Sequence, residues 1–276
     1  MRGDGRDSRP KWGRAVSAGV VGASGTLLVR AALARWLSRV AYAPDTAARL
    51  PPLQSRTITI ADGARADMLH LPASPGNLTV WYFHGNAEDL GTVEGFLDQF
   101  NARGLGVFAV EYPGYGRSGG QPTEAALYAA ARAGRRILRD EHNVPARQTL
   151  LYGNSLGAGV ALQMAVEEPV AGVVVQSSFT SLLGVGIPLR WLPFDQYRNL
   201  SKVARLDCPV LVIHGRDDEL IGVGQGHKLY DAVRGPKHSL WVAGAGHNDV
   251  IAVAGDAYWT AIRKFSALCA AGATAS

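Results

Sequence analysis

Cysteine is scarce in this chain, since only Cys208 and Cys269 occur among its 276 residues. Two cysteines do not make the framework of a disulfide-stapled domain, and their spacing matches no metal motif. We therefore predict that both are small apolar core residues. Hydrophobic residues make up 47% of the sequence, so a chain of this length can bury a full core without staples. The sequence indicates no metal and no cofactor.

A broadly distributed positive charge is also lacking. Charged residues are 18% of the chain and the formal net charge is +5, with basic residues concentrated in MRGDGRDSRPKWGR at residues 1–14. The tail is not followed by aromatic residues spaced between basic ones, nor by a nucleic-acid recognition motif. We therefore predict no nucleic-acid partner. The stretch GVGQGHK lacks the G-K-[ST] ending of a phosphate-binding loop, which argues against nucleotide binding.

The uncharged run AVSAGVVGASGTLLV, residues 15–29, is short for a membrane span, which needs about 20 residues. It follows the basic tail as in a signal peptide, whose cleavage would give a secreted protein. Arg30, Arg35 and Arg39 come after it, which suits a signal anchor or an interfacial helix. We predict that residues 1–43 anchor the chain to a membrane, with unresolved orientation. A helix packed on a cytoplasmic domain is the remaining alternative.

From about Thr57 the sequence alternates apolar runs with amphipathic helical patterns. RTITIADGARADMLHL predicts a β-hairpin with Asp62-Gly63 at its turn. The later strands are continuous apolar runs, which are typical of a parallel sheet covered on both faces. The predicted fold class is therefore α/β, with a mostly parallel eight-stranded sheet flanked by helices. Ligands of such sheets bind beyond the carboxyl ends of the strands.

Ser155 lies at one such end, in the G-x-S-x-G pattern GNSLG between a predicted strand and a predicted helix. This context is that of a nucleophile elbow, a turn so sharp that Gly153 and Gly157 are needed to make room. The N-terminus of the following helix favours developing negative charge. We predict that Ser155 is a nucleophile; the alternative is a small residue in a tight connection.

A nucleophilic serine needs a base and an acid. His247, in GAGHND after the last predicted strand, completes the chain order Ser…Asp…His known for this arrangement. HGRDDEL offers Asp217, Asp218 and Glu219 to orient the imidazole, and spacing does not choose among them.

The carbonyl oxygen of a substrate also needs backbone donors. The N–H of Leu156 is one candidate, and the N–H of Asn86 or of Ala87 is the other.

Five motifs in order then resemble one family: FHGNAEDLG, EYPGYGRSGGQPTE, YGNSLGAGVA, IHGRDDELI and GAGHND. They are similar to the α/β-hydrolase fold, and more narrowly to a branch of membrane-anchored serine hydrolases with an HGN oxyanion motif. The resemblance covers about Pro44 to Phe265 and implies a hydrolase domain over residues 44–272. It implies that the acid is Asp218, and it supports the membrane anchor. Ala158 and Gly222 depart from the usual pattern without removing a catalytic atom.

The connection Phe179–Cys208 is short for a cap domain, so we expect a minimal cap. Its apolar side chains could form an acyl groove, or a helix packed on the edge of the sheet. The residues predicted to contact substrate are Tyr115, Phe179, Leu182 and Leu183; further groove candidates are Ile187, Leu189, Trp191, Leu192 and Phe194.

The function expected from the sequence is that of a serine hydrolase. It would cleave a carboxylic ester or thioester of a small or lipid-like acyl substrate through an acyl-enzyme. A peptidase or an acyltransferase on the same triad is the nearest alternative, and a non-catalytic membrane-associated protein is the other. A dehalogenase is disfavoured because the elbow holds serine rather than aspartate.

Overall fold

The structure is a computed structural model that describes residues 42–44, 54–60, 63–184 and 195–274. The chain divides into two units, Met1–Ala41 and Tyr42–Ser276. The first unit, with the hydrophobic run at residues 15–29, lies outside the described residues, so its role and the predicted domain boundary stay predictions. Within the described ranges, no helix combines the length and the apolar character that a bilayer crossing requires.

Within the described residues, eight strands form one sheet in the order β1-β2-β4-β3-β5-β6-β7-β8. The hairpin β1–β2 and the pair β2–β4 are antiparallel, and all other neighbours are parallel. The predicted fold class is therefore confirmed. The strands are β1 Ser55–Thr59, β2 Arg65–Leu71, β3 Thr79–Phe83, β4 Gly106–Val110, β5 Thr149–Asn154, β6 Gly172–Gln176, β7 Val210–Gly215 and β8 Lys237–Val242.

Helices follow most of the strands, as the sequence pattern predicts. Thr123 caps α2 by accepting the N–H of Ala126, and Asp89 caps α1 in a capping box with Thr92. The described helices are α1 Leu90–Asn101, α2 Glu124–Asp140, α3 Gly157–Glu167, α4 Asn199–Val203, α5 Gly224–Ala232, α6 Val250–Ala254 and α7 Asp256–Thr274.

The central strands are buried on both faces because side chains alternate along them. Val80 and Tyr82 of β3 belong to the core layer shared with α1 and α7. Trp81 points to the opposite face, where α2 lies: a Cβ on Gly134 of α2 would meet Trp81 Cζ2 at 3.3 Å and Val110 Cγ2 at 2.9 Å. Gly134 thus permits a close approach of α2 to the sheet.

This sheet brings the carboxyl ends of β3, β4, β5, β6 and β7 to one edge. The described part of the connection beyond β6 contains a short 3₁₀ helix, Leu182–Gly184, and α4. Groove candidates Ile187, Leu189, Trp191, Leu192 and Phe194 lie outside the described residues. The predicted acyl groove therefore stays a prediction.

Candidate active site

The turn at Ser155 joins β5 to α3 and is tightly constrained. Ser155 has φ +50°, a conformation that residues with a side chain rarely adopt. A Cβ on Gly153 would lie 2.2 Å from Ala158 Cα, and a Cβ on Gly157 would lie 2.1 Å from the Phe83 carbonyl oxygen. Glycine is therefore required at both flanking positions, for the steric reason expected from the sequence.

His247 and Asp218 meet Ser155 at this turn. His247 Nε2 lies 3.2 Å from Ser155 Oγ, and His247 Nδ1 lies 2.8 Å from Asp218 Oδ2. Because the carboxylate can only accept, Nδ1 carries the proton and Nε2 faces the hydroxyl as an acceptor. The arrangement can therefore pull a proton from the serine hydroxyl.

Asp218 is the acid that reaches the imidazole. Its side chain is fully buried, whereas Asp217 and Glu219 are exposed. Asp249 instead accepts the N–H of Gly246 at 2.7 Å. The geometry thus separates the acids that sequence spacing left open.

Buried donors surround the Asp218 carboxylate. Burial alone would raise its pKa, but His214 Nε2 at 3.2 Å, His247 and the N–H of Ile221 at 2.7 Å oppose this effect. The N–H of Leu220 adds a further donor at 3.0 Å. The pKa of Asp218 is consequently held well below its ordinary range, so the carboxylate keeps its charge at neutral pH.

His214 contributes to this arrangement in a way that the sequence does not reveal. Its Nε2 lies 2.7 Å from the Ile221 carbonyl, which must accept, so Nε2 carries the proton. Its Nδ1 is buried without a hydrogen-bond partner among the described residues. The His214 ring therefore stabilises the loop at Ile221, whose N–H donates to Asp218. In the sequence, the feature that could have pointed to His214 is its position before Gly215 at the end of a predicted strand.

On the other side of Ser155 lies the β3–α1 loop, residues 84–89. Glu88 accepts the N–H of Gly85, and Asn154 Nδ2 donates to Glu88 at 3.1 and 3.2 Å. Leu156 is buried and is the N-cap residue of α3, where its side chain makes no capping hydrogen bond. Asn86 is half-buried and Ala87 is exposed. The three predicted donors therefore belong to the two segments that flank the serine.

A buried ion pair supports the base of the β3–α1 loop. His84 Nε2 lies 2.7 Å from Glu111 Oε1, and both side chains are almost fully buried. Burial would lower the pKa of His84, but Glu111 and the Gly85 carbonyl raise it above its ordinary value overall. His84 follows β3 and Glu111 follows β4, so the parallel pairing of these strands brings the two side chains together.

The predicted substrate contacts have different surroundings. Tyr115 has no exposed surface, and its hydroxyl donates to Asn86 Oδ1 at 2.6 Å. It therefore supports the β3–α1 loop through Asn86. Its burial corrects the expectation that substrate touches it. Phe179 and Leu183 are buried, and Leu182 is half-buried.

The described ranges contain no cluster of three or more His, Cys, Asp or Glu side chains suited to a metal ion.

Comparison with known proteins identifies the family. Human alpha/beta hydrolase domain-containing protein 17B is 35% identical over 192 residues, which are 68% of this chain and 67% of that protein. This chain belongs to the α/β-hydrolase family. The Mycobacterium tuberculosis protein Rv2307c is 34% identical over 230 residues, 80% of this chain and 82% of that protein. Caenorhabditis elegans alpha/beta hydrolase domain-containing protein aho-3 is 38% identical over 203 residues, 70% of this chain and 59% of that protein.

The family model described as serine aminopeptidase, S33, matches residues 75–189 of this α/β-hydrolase. The Pyrococcus furiosus esterase PF2001 superposes with a TM-score of 0.64 at 20% identity, covering 76% of this chain and 88% of that one. The Rhodococcus esterase RhEst1 gives a TM-score of 0.62 at 18% identity, covering 78% and 99%. These structures share the fold. The chain is a hydrolase of the α/β-hydrolase type.

Gly157→Ala should disrupt the turn of this α/β-hydrolase. The new methyl group would collide with the Phe83 carbonyl, so the free energy of unfolding should fall by about 3 kcal/mol. Gly95→Ala is the control, because a Cβ there meets nothing within 4 Å. It should leave stability unchanged or raise it by up to about 1 kcal/mol. Urea unfolding measures both, and equal stability of the two variants would contradict the steric explanation.

The His84–Glu111 pair should make stability pH-dependent. Because the folded-state pKa of His84 is raised, the stabilisation is complete below its unfolded-state pKa and is lost as pH rises through the folded-state pKa. Glu111→Gln should be less stable by about 3–5 kcal/mol at pH 6, since the buried imidazolium loses its counter-charge and must give up its proton. The gap between parent and variant should narrow in urea melts from pH 6 to pH 9. A constant gap would show that the pair does not titrate.

Proposed function

We propose that this α/β-hydrolase is a serine hydrolase that cleaves a carboxylic ester or thioester through an acyl-enzyme intermediate. The observation that carries the proposal is the continuous contact from Ser155 Oγ through the His247 ring to the Asp218 carboxylate. A serine is inert without a base, and a base of the wrong tautomer cannot accept its proton. Here the buried carboxylate holds the ring with Nε2 towards the hydroxyl.

In the proposed reaction, Ser155 Oγ attacks the substrate carbonyl while His247 Nε2 takes the hydroxyl proton. The imidazolium then gives that proton to the leaving alcohol or thiol, and the acyl group stays on Ser155. Water, deprotonated by His247, releases the acid and restores the serine. Asp218 stabilises the imidazolium, since its low pKa keeps it charged throughout.

The oxyanion is assigned to backbone donors on the two segments that flank Ser155. The N–H of Leu156 lies at the N-terminus of α3, where the helix dipole favours negative charge. The second donor is the N–H of Asn86 or Ala87 in the β3–α1 loop. Asn86 would then be the asparagine of the HGN oxyanion motif of the membrane-anchored branch. Such donors act strongly because they are fixed before charge develops.

A peptidase is the second candidate, because the matching family model is described as a serine aminopeptidase. The same three side chains can attack an amide, so the leaving group distinguishes the two functions. The membrane anchor at residues 15–29 belongs to the esterase proposal, since it would hold the site near lipid-like acyl substrates.

Ser155→Ala should abolish reaction with a fluorophosphonate probe and reduce turnover of an activated ester by about 10⁶. The matched control is Ser201→Ala, which removes an exposed hydroxyl that donates only to the Arg198 carbonyl. Gel fluorescence of the probe and ester hydrolysis measure the two effects. Labelling of Ser155→Ala at the parental level would disprove the nucleophile assignment.

Hydrolysis of p-nitrophenyl esters should become faster as the acyl chain lengthens from acetyl to octanoyl. The reason is the apolar character of the Phe179–Cys208 connection, because each buried methylene contributes about 0.8 kcal/mol. Aminoacyl p-nitroanilides should be poor substrates by comparison. A flat profile or a preference for acetyl would overturn the acyl groove, and faster cleavage of the anilides would favour the peptidase.

A further inference from the structure

The Asn86 side chain connects the β3–α1 loop to residues outside the predicted hydrolase domain. Its Oδ1 accepts the hydroxyl of Tyr115 at 2.6 Å and the N–H of Ala43 at 3.0 Å. The same Ala43 N–H also interacts with the Tyr115 phenolic oxygen. Two donors on one oxygen fix the side-chain torsion of Asn86. They thereby restrain the backbone whose N–H groups are the proposed oxyanion donors.

Tyr42, the residue before Ala43, is bonded to a different part of the site. Its side chain is buried, and its hydroxyl lies 2.8 Å from that of Tyr197. The Tyr197 N–H donates to Glu124 Oε1 at 2.9 Å, and the Tyr128 hydroxyl donates to the same oxygen at 2.6 Å. Tyr42 is thus bonded into a buried polar network at the start of α2, although sequence reasoning assigned it to the N-terminal segment.

Tyr197 also contacts the helix that follows the nucleophile. It has φ +48° and no exposed surface, and its ring lies against Gly159 of α3, where a Cβ would be 2.3 Å from Tyr197 Cδ1. Tyr42 and Ala43 therefore add a further link between these two parts of the site. Tyr42 binds the Tyr197 support of α3, and Ala43 binds Asn86 in the β3–α1 loop.

We propose that Tyr42 and Ala43 are positioning residues for the reaction, holding the β3–α1 loop in register with the N-terminus of α3. The inference rests on the proposed function, because it matters only if both segments donate to one oxyanion. Neither residue touches the reacting atoms. Their effect is to fix the distance between the donors on the loop and the N–H of Leu156, which must be set before charge develops.

Tyr42→Phe tests this positioning role in the full-length chain. It removes one hydroxyl bond worth about 1 kcal/mol, so loss of loop positioning should lower kcat for an activated ester roughly 3- to 10-fold. The KM should change little, because the acyl group does not contact Tyr42. Hydrogen–deuterium exchange of residues 84–89 should accelerate in the same variant, since the loop loses its external support.

Tyr258→Phe is the matched control. Tyr258 is also buried and shares its hydroxyl with another tyrosine, Tyr152, but it belongs to the core layer of α1 and α7. It should lose similar stability without the change in kcat or in exchange of residues 84–89. Equal kcat values and equal exchange in the two variants would overturn the proposal, because the effect of Tyr42 would then be general stability.

Asn86→Ala provides a second variant if Tyr42→Phe folds poorly. It removes the acceptor of Ala43 and Tyr115 but keeps the backbone N–H, so kcat should again fall. Adding Tyr42→Phe to it should then cause no further loss, since both changes release the same loop. Additive losses would contradict coupling through Asn86.

The experiments distinguish a wrong proposed function from a wrong positioning role. If the fluorophosphonate probe does not label Ser155 in the parent, the proposed function is wrong. The exchange of residues 84–89 in Tyr42→Phe still decides whether these residues hold the loop. If Ser155 is labelled at equal rates in Tyr42→Phe and Tyr258→Phe, only the positioning role is wrong.

Discussion

The approach of Gly157 to the carbonyl oxygens of Phe83 and His84 is the constraint on which the site depends. A Cβ at Gly157 would lie 2.1 Å from one oxygen and 2.6 Å from the other. This contact brings the turn that carries Ser155 against the end of β3, where the β3–α1 loop begins. Ser155 and the proposed oxyanion donors are therefore adjacent because two backbones touch. Only glycine permits that contact without displacement of the sheet.

Buried polar groups are concentrated around this contact. His84 pairs with Glu111, Glu88 holds Gly85 and Asn154, and Asp218 receives donors from two histidines and two backbone amides. The core layer behind the edge is formed by aliphatic and aromatic side chains. An unpaired buried charge would be strongly destabilising, so each carboxylate requires its partners in place. These networks make the edge a rigid polar surface on an apolar support, which suits chemistry that needs fixed donors.

Much of this edge could be predicted from the chain. Continuous apolar runs such as TVWYF and GVVVQ predict parallel strands, and the GNSLG pattern predicts the turn at Ser155. The contact of His84 with Glu111 could not be predicted from the sequence, because it depends on the pairing of β3 with β4. The sequence predicts a substrate contact for Tyr115. Its buried hydroxyl instead donates to Asn86 Oδ1, because motif membership does not indicate which way a side chain points.

The sequence by itself determined the fold class and the turn at Ser155, and it ordered the candidate serine, acids and histidine along the chain, because these depend on local pattern and chain order. Only the tertiary structure decided which acid reaches His247, because Asp217, Asp218 and Glu219 share one loop and differ in direction. It also decided that Tyr42 and Ala43 reach the β3–α1 loop. Contacts between residues more than forty positions apart are set by packing of the whole sheet and its helices, which local patterns do not encode.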